Sequence, residues 1–74
     1  MNSIRTSIEI GAAIRTERRQ QGLTQTELAD LCGVSLSFVS NLENGKPTAE
    51  LAKALTVLTT LGLDLFLVKR GEQQ

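Results

Sequence analysis

The chain has 74 residues, equal numbers of basic and acidic side chains, no net charge, one cysteine and no histidine. Such a length allows one domain with a small core, stable only marginally unless something reinforces it, and a single cysteine excludes a disulfide from that task. Without histidine, a second cysteine or a cluster of carboxylates, the usual materials of a metal site, a nucleophilic triad or an acid–base pair are missing, so neither an enzyme nor a cofactor is expected.

The spacing of apolar residues is helical almost to the end, and each helix carries its own start and stop signals. The first helix is predicted to begin near Thr6 or Ser7, with Thr6 and Glu9 at capping-box spacing. It turns Ile10, Ala13 and Ile14 inward and stops at Gly22. The second opens on "TQTE", where Thr24 and Glu27 can each satisfy the other's free backbone N–H while Leu23 and Leu28 close over them. Gly33 ends it soon after. Cys32, between Leu31 and Gly33, reads as a small apolar filler. A third helix follows from Ser35, with Val39 and Leu42 inward, and Gly45 in "NGKP" terminates it. Thr48 is expected to cap a fourth, with Leu51, Leu55, Leu58 and Leu61 as a core-facing stripe closed by Gly62.

Two short helices joined by a few residues containing a glycine form a helix-turn-helix, whose second helix can enter the major groove of DNA. Ala29 lies where the two helices cross, and a larger side chain would hold them apart; Gly33 lies where the turn needs positive φ. These are ordinary packing residues taken singly. Their joint spacing, over residues 24–44, defines the unit.

The stretch "GLTQTELADLCGVSLSFVSNLENGK" resembles the helix-turn-helix of the phage-repressor-like (Xre) family of bacterial DNA-binding proteins, a likeness covering residues 10–61. It implies an ion pair between Arg18 and the glutamate of the "ENG" turn, Glu43, which would orient the recognition helix without touching bases. One departure is Glu17, at a position often apolar in the family.

With Val39, Leu42 and Glu43 inward, helical geometry turns Leu36, Ser37, Ser40, Asn41 and Asn44 outward. Small polar groups let a helix approach base edges closely. That face has no Arg or Lys, so the commonest bidentate contact to guanine is missing, whereas Asn41 can pair with adenine and Ser37 and Ser40 can serve either kind of base. Leu36 or Phe38 can press on a thymine methyl, although Phe38 can equally cap the core beside Leu31. An A·T-leaning half-site is expected, read partly through DNA shape. Ser35, at the start of the helix, is included in the same interface.

Phosphates must supply affinity. The resemblance places Gln25, first in the second helix, beside a phosphate, helped by the helix N-terminus, and Lys46 after the recognition helix should reach the same strand. Arg15 and Arg19 are weaker candidates on the first helix. Between Leu23 and Asn44 there is no Lys or Arg, only Glu27, Asp30 and Glu43.

The chain ends in "LGLDLFLVKRGEQQ", where residues 63–69 read as a β-strand with no obvious partner in the chain. A mainly α fold is therefore expected: a four- to five-helix repressor-like helix-turn-helix domain spanning residues 1–74, whose C-terminal strand pairs antiparallel with its own copy in a homodimer. Leu63, Leu65, Phe66, Leu67 and Val68 would form the dimer contact; pairing with the segment from Ile4 to Ile8 is the alternative. A helix-turn-helix core followed by such a tail is similar to the HipB-like antitoxins, which implies autorepression of an operon on palindromic double-stranded DNA and binding of a HipA-type serine/threonine kinase toxin. Alternatives are a phage or restriction–modification regulator without a toxin partner, and a protein-interaction module with little DNA affinity. With no apolar run long enough to span a bilayer and no basic-then-apolar leader, a cytoplasmic, nucleoid-associated protein is expected, without membrane contact.

Overall fold

The computed structural model describes residues 4–47 and 50–71. Four helices follow one another: α1 (Ser7–Gln20), α2 (Gln25–Cys32), α3 (Leu36–Glu43) and α4 (Leu51–Thr60). The first three start on a hydroxyl side chain. Thr6, Thr24 and Ser35 each accept the backbone N–H three residues on, and at α2 the Glu27 carboxylate reaches back to the Thr24 N–H, completing the capping box. Helix α4 differs: its N-cap is Glu50, with no side-chain hydrogen bond, and Thr48 lies outside the described residues.

All four helices stop by the same device. A glycine follows the last turn with positive φ, and the residue after it donates its N–H five residues back. At Gly33, φ is 69° and Val34 N–H bonds to Ala29 O at 3.0 Å; at Gly62, φ is 78° and Leu63 N–H bonds to Leu58 O at 2.8 Å. The left-handed conformation reverses the chain and satisfies carbonyls that the helix end leaves open, which is why connections this short suffice.

Ile14 of α1, Leu28 and Ala29 of α2, Val39 and Leu42 of α3, and Val57, Leu58 and Leu61 at the end of α4 form the core. Helix α3 packs on both α1 and α2, and α2 also on α4. The approach of α1 to α3 is close because of Gly11. A Cβ there would collide with the carbonyl oxygen of Leu42 and come within 2.7 Å of that of Glu43. Nearby, Ser7 Oγ donates to Gly45 O at 2.7 Å, pinning the start of α1 to the end of α3.

One ion pair lies inside this packing. Arg18 of α1 grips Glu43 of α3 through Nε to Oε2 at 2.6 Å and Nη2 to Oε1 at 3.0 Å, while its Nη1 donates to Leu23 O at 2.8 Å. Both side chains are buried. A carboxylate removed from water this far is tolerable only when its lone pairs are filled, and here they are. Glu17 is accommodated too: it accepts from Gln21 Nε2, which also donates to Leu61 O at 2.8 Å and so ties α1 to the end of α4.

Two sequence expectations are corrected. The C-terminal β-strand is absent: among the described residues there is no β-strand, and residues 63–69 run without a sheet partner. Alternating side chains express a preference for a pleated surface, but a strand exists only where a neighbour takes its backbone hydrogen bonds. The segment from Ile4 to Ile8 does not provide one, since Ser7 and Ile8 are already in α1. The fold is therefore four helices and, among the described residues, no strand. The second correction concerns α4. Leu58 and Leu61 are buried together with Val57, but Leu51 is 71% exposed and Leu55 is also open.

Two outcomes follow from this packing. Gly11→Ala should destabilise the fold by about 2 kcal/mol despite the better helix propensity of alanine, because backbone has to move; a melt followed by circular dichroism should fall by roughly 10 °C. The second outcome concerns acid. Burial alone would push the Glu43 carboxyl up, but hydrogen bonds from Arg18, Gln25 and Arg15 outweigh it and hold the group below its ordinary value. A carboxylate lowered in the folded state contributes stability above its unfolded pKa and loses it as pH falls through the folded one. Denaturant titrations should therefore show stability dropping below the ordinary carboxylate value of 4.5. In Glu43→Gln that slope should flatten, leaving a remainder from the capping carboxylates Glu9 and Glu27, also lowered by hydrogen bonds from the backbone N–H groups of Arg5 and Thr24.

Candidate nucleic-acid interface

Helix α3 buries Val39, Leu42 and Glu43 against α1 and α2, so its other side is set by geometry. At 100° per residue, Leu36, Ser37, Ser40, Asn41 and Asn44 fall on one outward arc. Leu36, Ser37 and Asn44 are exposed, while Ser40 and Asn41 are half-buried at its margin. Ser35 is occupied as the cap of α3, its Oγ accepting the Phe38 N–H at 3.0 Å. Phe38 sits apart from this arc: it packs against the core, and Lys53 Nζ of α4 lies 5.8 Å from its ring centroid.

The polar groups around the arc are tied to Glu43. Gln25, the first residue of α2, donates Nε2 to Glu43 Oε1 at 3.0 Å, so its amide is turned toward the carboxylate and holds the start of α2 against the end of α3. In the first turn of α2 the Thr24 cap takes the Glu27 N–H, which leaves the backbone N–H groups of Gln25 and Thr26 for an anion. Arg15 reaches the same site from α1, with Nε 3.3 Å from Glu43 Oε1 and Nη2 donating to Asn44 Oδ1 at 2.9 Å. Lys46 is exposed just beyond, its own N–H closing α3 on Asn41 O at 3.0 Å.

The surface beside α3 is thus a short, uncharged helix face bordered by one cation from α1 and one from the following turn. Arg19 lies on an exposed part of α1. The contact of Arg15 with Asn44 spans 29 positions, so no local spacing in the sequence reports it. Sequence reading passed over Gly11. The available signal there was a glycine inside a helical pattern, which is unfavourable by about 1 kcal/mol and so marks a close approach.

The tail has no counterpart to this order. Leu63 is half-buried against the core, whereas Leu65, Phe66, Leu67 and Val68 are exposed, Leu67 to 95%. Together with Leu51 and Leu55 they leave a large share of the apolar surface uncovered. Among the described residues no helix is long and apolar enough to cross a membrane.

Comparison with known proteins places this geometry. The helix-turn-helix family model matches residues 14–67. The HTH-type transcriptional regulator y4mF of Sinorhizobium fredii is 46% identical over 71 residues, which is 96% of this chain and 93% of that protein. Antitoxin HipB of Escherichia coli K12 is 32% identical over 59 residues, 80% of this chain and 67% of the antitoxin. A chain of the solved HipA–HipB–O2–O3 complex superposes with a TM-score of 0.86 at 28% identity, covering 95% of this chain and 99% of that one. The chain belongs to the helix-turn-helix family of transcriptional regulators, in its Xre branch, and closely resembles the HipB-like antitoxins.

Proposed function

We propose that this protein is a sequence-specific DNA-binding repressor of the antitoxin type: as a homodimer it occupies a palindromic operator in its own operon, and it binds a HipA-type serine/threonine kinase toxin. The observation that carries the reading is the superposition on a chain of the HipA–HipB–O2–O3 complex over 95% of this chain, well beyond the helix-turn-helix unit.

On this reading α3 enters the major groove. Asn41 reads adenine, Ser37 and Ser40 contact neighbouring bases, and Leu36 packs on a thymine methyl. Phe38 braces α3 against α4 from behind, and Ser35 contributes mainly by fixing where the helix begins. With the Gln25 side chain engaged by Glu43, it is the backbone N–H groups of Gln25 and Thr26 at the N-terminus of α2, together with Lys46, that meet the phosphates on either side.

A subunit with no net charge binds DNA weakly, so two are needed, with recognition helices about 34 Å apart, one turn of duplex. Supporting association is the apolar surface left open at Leu51, Leu55 and the tail residues Leu65, Phe66, Leu67 and Val68, contiguous in sequence with the half-buried Leu63. Exposed apolar groups in such number are unusual on a small monomer and mark a contact surface. Side-chain burial suffices for this contact.

A mobility-shift assay on the protein's own promoter at low salt tests the DNA reading. Asn41→Ala should weaken the shift by about 1–3 kcal/mol in binding free energy while the melting temperature is unchanged; no shift by the unaltered protein would reject the reading. Leu65→Lys should sediment as a monomer and bind the promoter poorly, and a mutant still dimeric would exclude the tail from the interface. Co-expression with a kinase encoded beside it should give a stable complex on size-exclusion chromatography. Two separate peaks would leave a DNA-binding regulator without a toxin partner.

A further inference from the structure

Asn44 and Arg15 lie at the exit of α3, and their chemistry differs from that of the base-reading arc. The Asn44 amide oxygen is taken, since Oδ1 accepts from Arg15 Nη2 at 2.9 Å. What remains outward is Nδ2, a pure donor. Reading adenine with an amide needs both its oxygen and its nitrogen, so Asn44 is unsuited to the pairing proposed for Asn41.

The charge balance at the same place points the same way. Arg18 and Glu43 form a buried bidentate pair, one charge against one. Arg15 adds a second guanidinium to the single carboxylate, through the longest contact of the group, 3.3 Å from Nε to Oε1. Two positive charges against one negative leave one positive charge. It resides on Arg15, whose side chain is 36% exposed, because Arg18 is enclosed. Among the described residues neither Arg15 Nη1 nor Asn44 Nδ2 donates to a protein acceptor, and the 2.9 Å contact holds these two partly or fully exposed side chains next to each other.

From this arrangement we infer that Arg15 and Asn44 form a joint donor site for one phosphodiester oxygen of the DNA backbone, with Arg15 holding the Asn44 amide so that only its N–H groups face out. A phosphate oxygen accepts and never donates, carries negative charge and is the same for every base pair. This site supplies affinity and register but no sequence preference. The inference rests on the DNA-binding reading above.

Fluorescence anisotropy with the full chain tests it, on a duplex carrying the promoter and on a shuffled duplex of equal length, between about 50 and 200 mM salt. Arg15→Gln should weaken binding to both duplexes roughly tenfold at the low-salt end. Its plot of log affinity against log salt should be shallower by about 0.9 for each phosphate that the variant no longer neutralises, and Arg15→Lys, which keeps the charge, should recover most of the slope. Asn44→Ala should weaken both duplexes by the same factor. An unchanged slope in Arg15→Gln, or an Asn44→Ala loss confined to the promoter, would overturn this inference while leaving the DNA-binding reading intact. Failure of the unaltered protein to bind either duplex would remove both. Should Arg15→Gln not fold, as a melt would reveal, the Asn44→Ala comparison on the two duplexes decides.

Discussion

The carboxylate of Glu43 is the constraint on which the arrangement of this molecule depends. It sits at the end of the recognition helix, inside the packing, and draws donors from two other helices: Arg15 and Arg18 from α1 and Gln25 from α2. Apolar contacts among Ile14, Leu28, Val39, Leu42 and Val57 bring the helices together, but burial is non-directional and a core this small tolerates several angles. Hydrogen bonds from fixed donors do not. Four of them converging on two oxygens select one orientation of α3 relative to α1 and α2, and the desolvation cost of the buried charge penalises every alternative in which a donor is lost.

Steric constraints complete what the carboxylate selects. Gly11 lets α1 lie directly on the carbonyls of Leu42 and Glu43, so the helix that carries Arg15 and Arg18 is close enough for both guanidiniums to reach. Gly45 does the same at the next step along the chain, where a Cβ would collide with Ile8. Helix α3 is therefore held at its end by backbone contact and through its carboxylate by charge. Of its outward arc only Asn44 is drawn into this, accepting from Arg15, so Leu36, Ser37, Ser40 and Asn41 are free to be chosen for another surface.

Much of this was legible in the sequence because the signals are local. Capping hydroxyls, glycine stops and 3.6-residue spacing each report on a few neighbouring residues, and the first three helices lie where those signals put them, while α4 starts after Glu50 and not from the expected Thr48 cap. The failures share a cause. The alternation in "LDLFLV" resembles a strand, yet whether a strand forms depends on a partner that the pattern cannot name, and residues 63–69 have none. The leucine stripe of α4 matched an amphipathic period, but the other helices cover only its C-terminal half, leaving Leu51 and Leu55 open. Periodicity says which residues share a face and not how far along its length that face is covered.

The placement of charge bears on how such a molecule can divide its labour. The segment from α2 through α3 has no Lys or Arg, which in isolation argues against a polyanion as partner. Folding changes that, because α1 delivers Arg15 to the exit of α3 without placing any cation on the outward arc. A helix face of serines and asparagine can then approach base edges with little non-specific attraction of its own, while long-range attraction comes from elements packed behind and beside it. On the proposed function this separation favours discrimination over raw affinity. A recognition helix bearing its own lysines would bind any duplex, whereas one supplied with charge from α1 and from Lys46 must seat its polar groups correctly before those cations reach their phosphates. That coupling of register to charge exists only while Glu43 holds α1 and α3 in one geometry.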